Sequence, residues 1–240
     1  MVVLPSDQVI FNESAFIDAI DTARKAADDK KLITIGIQPN RPETGYGYIR
    51  RGEAVGDGFR VERFVEKPDL QTALQFIADG GYAWNGGIFA FRAGRFLEEL
   101  ARHRPDMAAR TKQAFDSGQH ADTTIRPDDA LFAAVEGESV DYAIMENTDR
   151  AAMVDVSMGW SDIGNWDALF QKRLSPSQEN VIAGPGEIIG ARGSMIDSDG
   201  PHVTLVGADD VVVVVNGDDV LVSARSAVQR VGEASRCRKQ

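Results

Sequence analysis

The chain has 240 residues, 43% hydrophobic and 26% charged, which is ample for a sizeable core. Its 26 basic and 37 acidic residues leave a formal charge of −11, which argues against DNA or RNA as partner but leaves room for a small phosphorylated ligand, because a few local cations dominate a pocket. The single cysteine, Cys237, excludes an intrachain disulfide; with no basic leader at Met1 and no apolar run long enough to span a bilayer, the expectation is a cytoplasmic protein without membrane contact.

Val2-Val3-Leu4 is a short β-branched run stopped by Pro5-Ser6-Asp7 and reads as a buried strand emerging into a loop. Residues 13–29 follow with Phe16, Ile20, Ala23 and Ala27 at helical spacing and Asn12 as N-cap. The run 32–37 is a second apolar strand, so strand, helix and strand form a βαβ unit and imply a mostly parallel sheet. Residues 59–65 read as a strand, 70–78 as a helix with Leu70, Leu74, Phe76 and Ile77 inward, and 87–91 as a short strand before a helix around Phe96, Leu97 and Leu100. Residues 105–135 are helix-rich, 151–158 return to strand and 165–170 to helix. After Ser175-Pro176-Ser177 the pattern changes to short β-rich runs punctuated by glycine, clearest at 211–215 and 220–222. The expected division is therefore 1–176 for an α/β domain and 177–240 for a small β-rich, solenoid-like cap.

Several segments carry residue types suited to chemistry, and each has a plainer alternative. Asp7, at the end of a strand, is placed to hold a metal or else is a turn residue. In residues 41–49, Gly45 and Gly47 let backbone N–H groups approach a ligand or simply form a tight turn. Glu66-Lys67-Pro68 ends a strand, and Pro68 can re-aim both charges at its tip. There Lys67 offers a point charge for phosphate and Glu66 an acceptor for sugar hydroxyls, unless the two are an inert surface pair. Asn85 sits on a turn before an apolar strand and can donate to and accept from a hydroxyl, while Trp84 is core or platform. Asp162, in Trp160-Ser161-Asp162-Ile163-Gly164-Asn165-Trp166, either joins Asp7 in a two-carboxylate Mg²⁺ site or caps the following helix. His103, His120 and His202 show no metal-ligand spacing, and residues 140–146 read as an amphipathic helix capped by Ser139.

Taken in order, Leu4-Pro5-Ser6-Asp7, the run 42–49, Phe64-Val65-Glu66-Lys67-Pro68, Trp84-Asn85-Gly86-Gly87-Ile88-Phe89, 140–146 and 160–166 resemble the nucleotide-sugar pyrophosphorylases, and among them the bacterial mannose-1-phosphate guanylyltransferases. The resemblance implies a Rossmann-like nucleotidyltransferase sheet in which a sugar 1-phosphate attacks the α-phosphorus of GTP, releasing pyrophosphate and forming GDP-mannose. It implies Lys67, Asp7 and Asp162 as the catalytic group, with Mg²⁺ on Asp7 and Asp162, the sugar phosphate on Lys67, the mannose hydroxyls on Glu66 and Asn85, and the Gly47 backbone nearby. It also implies a β-helix-like cap from 177 that serves a homodimer. Three departures stand out: the family's Gly-Gly-x-Gly-x-Arg loop, which wraps the nucleotide phosphates, does not occur; Gln8 stands where histidine is usual; and Gly86 replaces serine. The expectation is accordingly an incomplete sheet with little GDP-mannose synthesis by these 240 residues alone. A catalytically dead homologue acting as a sugar-phosphate-binding regulatory or assembly subunit is the alternative.

Overall fold

The structure, a computed structural model, describes residues 1–27 and 31–233, so Cys237 and the expected end of the first helix at residue 29 lie outside the described residues. The chain divides into two compact units, Met1–Ser6 with Ile10–Trp160, and Asp7–Val9 with Ser161–Gln240. In chain order the first elements are β1 (Val2–Val3), β2 (Val9–Ile10), α1 (Glu13–Ala27), β3 (Leu32–Ile37), β4 (Tyr48–Val55), β5 (Gly58–Val65), α2 (Leu70–Asp79), β6 (Tyr82–Ala90) and α3 (Ala93–His103). There follow α4 (Pro105–Asp116), a hairpin of β7 (Gln119–Ala121) and β8 (Thr124–Arg126), α5 (Asp129–Ala133), a π-helical turn over Asp141–Met145, β9 (Ala151–Val156), β10 (Trp160–Ser161) and α6 (Trp166–Arg173). None of the described helices is long and apolar enough to cross a membrane.

In the first unit the sheet runs β1-β6-β3-β9-β5-β4, and β4 also pairs with β6. Every residue of β3 is buried, because helices cover both of its faces and a strand in that position reads as a continuous apolar run. On one face Ala19 and Ala23 of α1 and Phe76 of α2 pack on Ile33, Ile35, Ile37, Tyr48 and Trp84. On the other, Leu32 and Phe89 meet Leu100 of α3 and Ile144 and Met145 of the π-helical turn. Asn12 caps α1 as its side chain suggests, Oδ1 accepting from the Ala15 N–H at 3.1 Å.

Three expectations are corrected here. The sheet is not mostly parallel: β3 and β9 run parallel, whereas β6 runs antiparallel to β1, β3 and β4, and β5 antiparallel to β4 and β9. The βαβ unit does exist, but β6 inserts between β1 and β3 and separates its two strands. Nor is β1 buried, since Val2 and Val3 are 37% and 39% exposed at the sheet's edge. Finally, α2 faces inward through Ala73 and Phe76, leaving Leu70 and Leu74 more than half exposed, because Phe76 stacks on Tyr82 at 3.9 Å and fixes the helix's rotation.

The second unit coils. β11 (Val181–Ala183), β13 (Met195–Ser198) and β15 (Val211–Asn216) stack in parallel, with Val181 beside Met195 and Met195 beside Val212. β12 (Gly186–Ile189) and β14 (Val203–Val206) form a second parallel wall. β16 (Asp219–Ala224) closes the stack by pairing antiparallel with β15. Ser194 ties successive coils, its Oγ donating to Ala208 O at 2.9 Å and accepting from Val211 N at 3.1 Å. Besides Asp7–Val9, the unit takes in the chain from Ser161, ahead of the change of character at 177, and Phe170 on α6 is buried in the same cluster as Val181, Met195 and Val212.

Candidate active site

The chemistry-bearing side chains of the first unit gather on one face of the sheet, the face that meets the π-helical turn. Strand alternation puts them there. In β6, Trp84, Ile88 and Ala90 join the cluster under α1 and α2, so Asn85 points the opposite way, as Phe89 does. Asn85 therefore lies inside a strand and not on the turn expected before it; the short apolar run seen in the sequence is only the second half of β6.

Its hydrogen bonds fix the orientation of the amide. Asn85 Oδ1 accepts from Thr34 Oγ1 at 3.0 Å and from Gly87 N at 3.2 Å, while Nδ2 donates to Asp141 Oδ1 at 2.8 Å. The acceptor is thus occupied, and what the amide offers a ligand is its remaining N–H. Asp141 heads the π-helical turn, an irregularity often found at functional sites. The expected amphipathic helix over 140–146 is this turn. A reading by helical period counts Ala143, Ile144 and Met145 as its buried side and passes over the acidic residue. Asp141, like Thr34, is a residue of this cluster that sequence reasoning misses; its signal is an acidic residue next to an apolar run.

Glu66 and Lys67 close the site from the end of β5. Lys67 has φ 46°, in the left-handed region, where a bulky residue is uncommon and strain tends to accompany function. This reversal before Pro68 brings Lys67 Nζ within 3.6 Å of Glu66 Oε1, with the lysine side chain 60% exposed and the glutamate only 12%. The pair is not two surface charges in open water. Burial, then the neighbouring Asp141 carboxylate, pushes the Glu66 carboxyl above the usual range, against the opposing pull of Lys67. Burial likewise pushes Asp141 up, while the hydrogen bond from Asn85 and the charge of Lys67 hold it down.

Gly47 completes this cluster. Its carbonyl accepts from Asn85 N at 2.8 Å. A Cβ built at Gly47 would collide with Glu66 Oε2 and stand 3.3 Å from Asn85 Cβ, so glycine is what lets the Glu66 carboxylate lie against the backbone. The structure therefore brings Gly47, Glu66, Lys67 and Asn85 together and adds Thr34 and Asp141.

Asp7 and Asp162 fall in the second unit. Asp7 is exposed and Asp162 partly buried. Asp162 is not the cap of α6; that role belongs to Asn165, whose Oδ1 accepts from Ala168 N at 2.9 Å. Asp162 Oδ1 instead accepts from Gly164 N at 3.0 Å, across Ile163 with φ 48°. Among the described residues no group of three or more His, Cys, Asp or Glu is arranged to hold a metal ion. Two carboxylates offer only hard oxygen donors, a set suited to Mg²⁺, which keeps several waters of its own.

The remaining candidates are structural. His103 pairs with the buried Glu99 at 3.2 Å, His120 reaches Phe115 O at 2.8 Å and His202 lies 3.6 Å from Glu187, with no two on a common ligand. Trp84 is core, 3% exposed. In a hollow of about 570 Å³ lined by His103, Arg104, Asp106, Arg110, Glu136 and Glu138, Arg104 is bidentate on Glu138 at 2.5 and 2.6 Å.

Comparison with known proteins identifies the family. The family model for Nucleotidyl transferase matches residues 1–178. The chain is 44% identical over 236 residues to mannose-1-phosphate guanylyltransferase ManC of Salmonella typhimurium, covering 96% of this chain and 49% of that protein. It is also 44% identical to the mannose-1-phosphate guanylyltransferase of Escherichia coli, strain K12, with the same coverage. The crystal structure of mannose-1-phosphate geranyltransferase from Thermus thermophilus superposes with a TM-score of 0.87 at 32% identity, covering all of this chain and 69% of that one. The chain thus spans about half the length of the curated relatives it matches.

Proposed function

From the premise that the chain belongs to the nucleotidyl transferase family, we propose that it serves guanylyl transfer from GTP to mannose 1-phosphate, with its first unit holding the sugar phosphate. The observation that carries this reading is the cluster of Glu66, Asp141 and Asn85 against Gly47, with Lys67 beside it. Two carboxylates accept hydroxyl protons, one oriented amide donates to a hydroxyl oxygen, and a partly exposed ammonium meets the phosphate. A polyol carrying a phosphate satisfies all four. The names of the relatives support mannose and guanine as the pair.

In the reaction a phosphate oxygen of the sugar phosphate forms a bond to the α-phosphorus of GTP, and the bond from that phosphorus to the bridging oxygen of the β-phosphate breaks, releasing pyrophosphate. Catalysis of this kind rests on positioning and charge neutralisation. Glu66, Asp141 and Asn85 orient the sugar ring, and Lys67 offsets charge on its phosphate. Asp7 and Asp162 are the residues that would hold Mg²⁺, which when bound neutralises phosphate charge. The exposed Val206, Val220 and Val222 of the coiled unit support a homodimer contact there, which a mass measurement in solution would test.

The test of the main reading is calorimetric titration of the chain with mannose 1-phosphate, with glucose 1-phosphate as comparison. Saturable binding that favours the mannose compound is expected. No binding of either would overturn the reading.

A further inference from the structure

Glu43 is one of the few buried charged residues among those described, 8% exposed, and it lies outside the cluster described above. Its carboxylate gathers three donors. Oε1 accepts from Thr44 N at 3.1 Å and Gly45 N at 3.3 Å, and Oε2 accepts from Arg41 Nε at 3.3 Å. The backbone N–H of Glu43 donates to the hydroxyl of Tyr48, which is fully buried, at 2.9 Å. The loop 41–48 is therefore folded around one side chain.

That fold determines which way the next residues face. Tyr46 packs edge-on against Trp84 and Trp160, at 5.2 Å from each, and Tyr48 tilts against Phe76 at 5.3 Å. The Arg41 guanidinium covers Trp84 at 5.5 Å. With Tyr46 and Tyr48 committed to the core under α1 and α2, Gly47 between them is turned to the opposite face, where its carbonyl holds Asn85 N and its bare Cα leaves room for Glu66.

We propose that Glu43 is a positioning residue for the sugar-phosphate site, acting through Gly47 on Glu66 and Asn85; this rests on the function proposed above. The role needs a carboxylate. Glutamine would present one acceptor oxygen and turn an NH₂ group toward a donor, either the half-exposed Arg41 or the Thr44 and Gly45 amides, and so lose a charge-assisted hydrogen bond.

The discriminating experiment compares two ligands on the 240-residue chain by calorimetry. Mannose 1-phosphate needs the ring-binding cluster, whereas inorganic phosphate needs only the charge of Lys67. Glu43→Gln should weaken mannose 1-phosphate by about ten-fold, the effect of a displacement worth one charge-assisted hydrogen bond, and leave phosphate affinity unchanged. A merely structural role would move both ligands together or neither. If Glu43→Gln does not stay folded, Glu43→Asp carries the test, since it keeps the charge but draws the carboxylate back from the Thr44 and Gly45 amides. Equal mannose 1-phosphate affinity in wild type and the folded variant would overturn this inference alone. Failure of the wild type to bind mannose 1-phosphate would overturn the functional reading and this inference with it.

Discussion

Glu66 and Asp141 are both held above the ordinary carboxylate range by burial, so the folded protein binds protons at these positions more tightly than the unfolded chain does. Their contribution to stability is therefore greatest at low pH and is lost as pH rises through the raised folded values. Asp141→Asn keeps an oxygen for the Asn85 amide, now 2.8 Å from Asp141 Oδ1, and removes the buried charge. The variant should melt a few degrees above wild type at neutral pH, the gap closing as pH falls toward the ordinary aspartate range, while mannose 1-phosphate affinity drops. Thermal midpoints measured against pH check this, and a variant less stable at neutral pH would contradict it. Lys67→Ala should weaken mannose 1-phosphate by about ten-fold, the low end for a phosphate contact because the side chain is 60% exposed. Calorimetry reads that directly. The residues at the tip of β5 are legible in the sequence because a charged pair ahead of a proline is unusual at a strand end. Asp141 is not, because its partner Asn85 is 56 residues away and no local pattern links them.

At the scale of elements, signals that act within a few residues are the legible ones. Asn12 announces a cap by its place ahead of α1, and the β-branched run at 32–37 announces a buried strand. Faces and partners are less legible, because they are set by tertiary neighbours. Leu70 and Leu74 give α2 an apolar stripe that the stacking of Phe76 on Tyr82 turns away from the core. In the same way, β6 lies between the two strands of the expected βαβ unit, and β4 and β6 also join, drawing the sheet round on itself. The interior of that curve is narrow. Ile49, Ala83 and Met153 fill it, and a Cβ at Gly36 would lie 2.6 Å from Met153 Cε and 3.0 Å from Ala83 Cβ. Gly36→Ala should accordingly cost about 1–3 kcal/mol by overpacking, measured by denaturant unfolding. An unchanged midpoint would mean that Met153 moves aside freely.

On the scale of the whole molecule, the glycine-punctuated β pattern after 177 announces a coiled unit but not how its turns are held. Coiling of this kind brings the backbone of one turn directly over the next, and where they touch there is no space for a side chain. Gly184 marks such a contact. It adopts φ 88°, and a Cβ there would overlap the carbonyl oxygen of Ser198. Unlike the Gly36 contact, the obstacle is backbone, and Ser198 is itself fixed by parallel pairing with Val215 and by its Oγ donating to Pro201 O at 2.7 Å. Neither partner can yield without breaking a rung of the stack. Gly184→Ala should therefore destabilise the coiled unit by about 3 kcal/mol, from steric conflict and the left-handed backbone together. Amide hydrogen exchange localises the effect, because protection should fall in β11, β13 and β15 while β3 and β6, which belong to the other compact unit, keep theirs. Uniform loss across all five strands would show instead that the two units unfold as one cooperative body.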